Sequence, residues 1–108
     1  MNATAVIYLN TIPGGKVDGE WQRCKEVIAA RNWTVLKVLH DEDGAGDPLK
    51  RDGLTEALKL IETGKAGVIV TARLSMVSPM TSERTAISAR VRRAGGELVA
   101  PPLTGTPC

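Results

Sequence analysis

Gly64-Lys65-Ala66-Gly67-Val68-Ile69-Val70-Thr71-Ala72-Arg73-Leu74 is the stretch on which the fold turns. A continuous β-branched run bounded by a glycine and a polar segment, over residues 67–72, is the pattern of a strand buried on both faces. The residues before it, 51–63, place Leu54, Leu58 and Ile61 on one stripe and end at Gly64, which predicts a helix closed by a left-handed residue. The residues after it, 81–94, predict another helix with Ile87, Val91 and Ala94 inward, followed by a strand over residues 97–100. A helix delivered into a buried strand, and a helix leaving it, is the repeating unit of a parallel sheet.

The same unit extends toward the N-terminus. Ala5-Val6-Ile7-Tyr8-Leu9 is an apolar run of strand length, ended by the breakers Pro13, Gly14 and Gly15. Trp21, Cys24, Val27 and Ile28 recur at helical spacing over residues 18–31, with Asp18 placed as an N-cap. Residues 34–39 predict a second strand, and residues 40–50 an acidic, glycine-containing loop. The order β-α-β-α-β-α-β implies an α/β three-layer sandwich: a mostly parallel sheet of four to five strands with helices on both faces. One domain over residues 1–100 and an irregular tail over 101–108 are expected. In such sheets the ligand crevice lies beyond the carboxyl ends of the strands, which directs attention to the loops at 10–16, 40–50 and 73–80.

Composition narrows the function classes. The chain has 108 residues, 43% hydrophobic, with Trp21, Trp33 and Tyr8 as its only aromatic residues, so the core must be built from aliphatic side chains. A formal charge of +2 is too small to advertise nucleic-acid binding by itself. Cys24 and Cys108 are too few and too far apart for a disulfide framework or a metal site, which suits a reducing cytoplasm. No stretch has the length of a membrane span.

The ordered series Tyr8-Leu9-Asn10-Thr11-Ile12, Gln22-Arg23-Cys24, Asn32-Trp33-Thr34-Val35, Asp41-Glu42-Asp43-Gly44-Ala45-Gly46, Arg51-Asp52-Gly53-Leu54, the 64–74 stretch and Gly95-Gly96-Glu97-Leu98-Val99 resembles the catalytic domain of resolvase/invertase-type serine recombinases. The resemblance spans about nine-tenths of the chain and implies a resolvase-like fold and a link to site-specific DNA recombination and mobile elements. It also implies which residues should cut DNA, and these are replaced. Ile12 stands where the family's nucleophilic serine is expected, and Asn10 where an arginine precedes it. Ser75, Met76 and Pro79 stand where the family has Asp-Arg-x-x-Arg. Transesterification needs an attacking oxygen and cations around the phosphate. The chain is therefore expected to be an inactive relative acting by binding or oligomerisation, with no cofactor and no metal. The alternative is an active strand-exchange or phosphate-processing enzyme in which a displaced Thr11 is the nucleophile.

Arg51 is the one family anion-binding position retained, and Lys16, after Gly14-Gly15, is a second candidate anion contact. The P-loop spacing fails, because Asn10 occupies the place of its first glycine and Val17 that of the hydroxyl residue. The run Asp41, Glu42, Asp43, Asp47 could be imagined as a cation site, but Ala45 and Pro48 break the calcium-loop pattern, and a solvated loop is the plainer reading. His40, the only histidine, reads as a packing or hydrogen-bonding residue. Arg84, Arg90, Arg92 and Arg93 make the third helix the most basic element, a candidate contact for nucleic acid or a partner. Expected partners are a second copy or a recombinase-type protein, with weak non-specific DNA binding as a further option. The long dimerising helix and separate DNA-binding domain that the resemblance would place next have no counterpart in the sequence, so sequence-specific recognition by these residues is not expected.

Overall fold

The computed structural model describes residues 3–11, 18–42, 50–78 and 80–101. Its elements are β1 (Thr4–Asn10), α1 (Asp18–Arg31), β2 (Thr34–Asp41), α2 (Asp52–Glu62), β3 (Val68–Val70), α3 (Thr81–Arg93) and β4 (Glu97–Val99). The four strands form one parallel sheet in the order β2-β1-β3-β4. The chain moves outward from β1 to β2, then returns across β1 to β3. In open parallel sheets ligands bind at such a reversal, here beyond the carboxyl ends of β1 and β3.

Strand alternation divides the core into two layers. Val6 and Tyr8 of β1, with Ile69 of β3, face the side covered by α2 and α3, where they meet Leu54, Leu58, Ile61, Ile87 and Val91. Ala5, Ile7 and Leu9, with Val68 and Val70, face α1 through Cys24 and Ile28. The three-layer α/β architecture expected from the element order is what the structure has. Among the described residues no helix is long and apolar enough to cross a membrane.

The ends of the helices follow local chemistry. Gly64, at φ +77°, closes α2 as its position after the apolar stripe predicts, and Lys65 N–H then donates back to Leu60 at 2.9 Å. Asn32 does the same for α1 at φ +56°, with Trp33 N–H donating to Ile28 at 3.1 Å. Asparagine tolerates this region better than any residue except glycine.

Several expectations need correction. The second strand does not end at Leu39: His40 and Asp41 continue it, because each still pairs with β1, opposite Leu9 and Asn10. Asp18 is the first residue of α1 rather than the cap before it. Ala94 is exposed, because α3 ends at Arg93 and Ala94 is its C-cap rather than a residue of the inward stripe. Residues 74–76, read as loop, wind into a short 3-10 turn. The register of β1 against β2 shifts by one residue: Ala5 pairs with Val35 but Val6 with Lys37, so Leu36 is the extra residue. As a result Lys37, Leu39 and Asp41 face α2, and Val35, Val38 and His40 face the α1 side.

Candidate functional site

The site lies where the carboxyl ends of β1 and β2 meet the start of α2. Helix α2 begins after Arg51, whose side chain makes no capping bond to the first-turn amides. Those amides are instead satisfied from another strand. Asp41, at the end of β2 on the α2 side, accepts Gly53 N–H through Oδ1 at 2.9 Å and Leu54 N–H through Oδ2 at 3.1 Å. A carboxylate at this place meets both the orphan donors and the positive end of the helix dipole. The acidic residue proposed by sequence as part of a solvated loop is therefore a helix cap supplied from 12 residues upstream.

Tyr8 completes the arrangement from β1. Its hydroxyl donates to Asp41 Oδ2 at 2.9 Å, and the side chain is fully buried. Burial raises its pKa well above the ordinary tyrosine range, the Arg51 hydrogen bond works against that rise, and the Asp41 hydrogen bond adds to it. Arg51 lies beside them, only 2% exposed. Its Nη1 donates to the carbonyls of Met76 at 2.9 Å and Val77 at 2.8 Å, with the Tyr8 oxygen a looser 3.5 Å away. The guanidinium thus ties the 74–76 turn after β3 to the start of α2. Nothing in the sequence pattern signals this: Arg51 was singled out as an anion contact, and two backbone carbonyls take the Nη1 donor.

On the opposite face of the same strand ends, Thr11 Oγ1 and His40 Nε2 lie 2.9 Å apart, and Thr11 N–H donates to the Asp41 carbonyl at 3.0 Å. Sequence reasoning treated these two side chains separately. What unites them is that β1 and β2 are adjacent and in register at their last residues, a relationship that becomes readable once His40 is placed in the strand.

The other candidates are dispersed. Asn10 is buried at the end of β1, Ser75 is exposed, and Met76 is buried in the layer under α1. Ile12, Lys16 and Pro79 lie outside the described residues, as do Asp43 and Asp47 of the acidic run. Among the described residues, no group of three or more His, Cys, Asp or Glu side chains comes together to hold a metal. On α3 the four arginines have different surroundings. Arg90 makes a two-pronged bond to Glu62 of α2, at 2.7 and 3.1 Å, which lowers the Glu62 pKa. Arg84 turns back on the start of its own helix, donating to Ser78 O and Thr81 Oγ1. Arg92 and Arg93 are exposed and make no hydrogen bond or ion pair among the described residues.

Comparison with known proteins agrees with this architecture. The chain is similar to the C-terminal catalytic domain of ISC1926 TnpA, an IS607-like serine recombinase, with a TM-score of 0.77 at 18% identity, over 90% of this chain and 69% of that one. It is similar to the N-terminal catalytic domain of TP901-1 integrase, with a TM-score of 0.75 at 18% identity, over 90% and 75%. It also resembles a resolvase family site-specific recombinase from Streptococcus pneumoniae, with a TM-score of 0.76 at 12% identity, over 92% and 72%. No curated protein matches the sequence. The family described as "Resolvase, N terminal domain" matches residues 14–102, more than four-fifths of the sequence, and the chain belongs to that family.

Proposed function

We propose that the chain is a recombinase-like domain that does not cut DNA and acts by binding, associating with a second copy or with a recombinase-type protein. The observation that carries this reading is the state of Arg51. It is the one arginine retained at a family anion-binding position, yet it is 2% exposed and its Nη1 bonds the carbonyls of Met76 and Val77. Phosphoryl chemistry is driven by cations held at the place where charge develops. With Asn10, Ile12, Ser75, Met76 and Pro79 at the other family positions, no nucleophilic serine or arginine cluster takes up that task. The test is incubation with supercoiled plasmid carrying candidate recombination sites, together with measurement of the protein's size in solution. Intact supercoils and a dimer or larger species are the expected result. Nicked circles or a covalent protein–DNA adduct would overturn the reading.

One observation favours a second reading, in which the chain is an active phosphoryl-transfer enzyme. The Thr11 hydroxyl sits 2.9 Å from the His40 imidazole, within reach for proton removal. Thr11 Oγ1 would attack phosphorus and form a phosphothreonyl bond as the P–O bond to the sugar breaks, with the hydroxyl proton passing to His40 Nε2 and the departing sugar oxygen taking its proton from solvent water. This reading requires an adduct that disappears in both Thr11→Ala and His40→Gln. Persistence of the adduct in Thr11→Ala would eliminate it.

A further inference from the structure

Helix α3 carries Arg84, half-exposed, and Arg92 and Arg93, exposed, on the flank that faces β4. Between that flank and β4 runs an open groove of about 750 Å³. Leu74, Ala89 and Leu98 contribute its apolar surface, and Arg84, Arg92 and Arg93 its positive charge. Among the described residues no carboxylate lines it. The contrast with the other flank of the same helix is direct: there Arg90 is neutralised by Glu62, while Arg92 and Arg93 have no counter-charge among the described residues. Leu74 at the groove's edge is 43% exposed. Arg84 and Arg92 are two turns apart, so their Cα atoms are separated by about 12 Å along the helix axis.

We infer that this groove is the docking surface for an acidic amphipathic helix of a partner protein. The inference rests on the binding-module reading above and names the surface through which such a module would work. Two features select this partner. The unpaired guanidinium groups require negative charge, and guanidinium pairs well with carboxylates in partly desolvated settings. The apolar surface requires hydrocarbon, which a helix with a leucine stripe supplies and a sugar–phosphate backbone does not. A single-stranded nucleic acid would want aromatic platforms for its bases, and none of the three aromatic side chains lines this groove. The small side chains Thr85 and Ala89 let a second helix approach α3 closely.

The test uses the whole chain and a fluorescent synthetic helical peptide, with leucines on one stripe and glutamates flanking it. Controls are the same peptide with lysine for glutamate and a 20-base-pair duplex. Fluorescence anisotropy should show binding of the acidic peptide that weakens with added salt and no binding of the basic one. The double variant Arg92→Glu/Arg93→Glu should weaken it at least tenfold, and Leu74→Asp by a similar factor, with circular dichroism checking the fold. Lys25→Glu, a charge reversal on α1, should leave it unchanged. Absence of binding by the acidic peptide, indifference to the Arg92/Arg93 substitutions, or preferential capture of the duplex through the same arginines would overturn the inference. Failure of the acidic peptide to bind while self-association is retained would reject the groove and leave the binding-module reading intact; plasmid nicking would reject that reading whatever the groove does.

Discussion

The Tyr8 hydroxyl and Asp41 carboxylate meet at 2.9 Å across the first two strands, and that same carboxylate holds the first turn of α2. Asp41 is therefore the residue through which strand β1, strand β2 and helix α2 are fastened at one point. Replacing it with alanine leaves the Gly53 and Leu54 amides and the Tyr8 hydroxyl without their acceptor. The expected cost is about 2 kcal/mol or more, combining a lost cap with an unsatisfied buried donor. Tyr8→Phe removes the donor to Asp41 and a long acceptor contact to Arg51, and should cost about 1 kcal/mol. Urea unfolding of both variants checks the order; an equal or reversed cost would show that Asp41 is not the anchor.

Gly53 tests the same point from the other side. A Cβ built there would sit 2.9 Å from both Asp41 oxygens. Gly53→Ala should be destabilising despite alanine's better helix propensity, by about 1–3 kcal/mol, because the carboxylate must retreat from the amides it caps. The combination Gly53→Ala/Asp41→Ala should be less damaging than the sum of the two single changes, and a double-mutant cycle measures the difference.

For Arg51 the expectation is a loss of stability rather than of any catalytic rate. Arg51→Met would leave the Met76 and Val77 carbonyls without this donor and detach the 74–76 turn from α2. A cost of about 2–4 kcal/mol follows, or a fall in Tm of roughly 8–30 °C for a domain of this size. Arg51→Lys should recover only part of it, since an ammonium cannot reproduce the planar guanidinium. Thermal unfolding of the three proteins settles the ranking.

Cys24 predicts the alkaline behaviour. Burial pushes its thiol up from 9.0 to about 11, with Arg23 opposing and Glu20 assisting the rise. The folded state therefore keeps a proton that the unfolded chain gives up, so this contribution is intact below about pH 9 and is lost as pH climbs toward about 11. Tyr8 shifts in the same direction. Urea midpoints should be flat to about pH 9 and then fall, and Cys24→Ala should make that fall shallower. In a Cys108→Ser background, iodoacetamide should modify native protein at pH 8 far more slowly than unfolded protein, because the Cys24 thiol is fully buried and burial keeps it protonated there. Equal rates would contradict the burial.

The element order, the parallel sheet and the buried stripe of α2 were legible because each rests on a local pattern: the run Val68-Ile69-Val70, the spacing of Leu54, Leu58 and Ile61, and the stop at Gly64. The site was legible only as a set of residue identities. Arg51 reads as a candidate anion contact because sequence shows its charge and not the carbonyls of Met76 and Val77, which come from a segment 25 residues away. Asp41 reads as one of four loop acids for the same reason. The end of β2 was missed at His40-Asp41 because polar residues there look like a loop, and only pairing with Leu9 and Asn10 keeps them extended. Val35-Leu36 and Val38-Leu39, two apolar pairs that fit no simple alternation, are explained by the register shift between them.

That single surplus residue fixes the electrical character of both sides of the strand tips. If pairing ran evenly through Leu36, every later side chain of β2 would exchange sides. The imidazole of His40 would then point at the amide end of α2, and the carboxylate of Asp41 would stand next to Thr11, so one helix would lose its anion and one hydroxyl its imidazole neighbour. An irregularity one residue wide, five positions upstream, therefore governs which of two chemically opposite groups each surface presents.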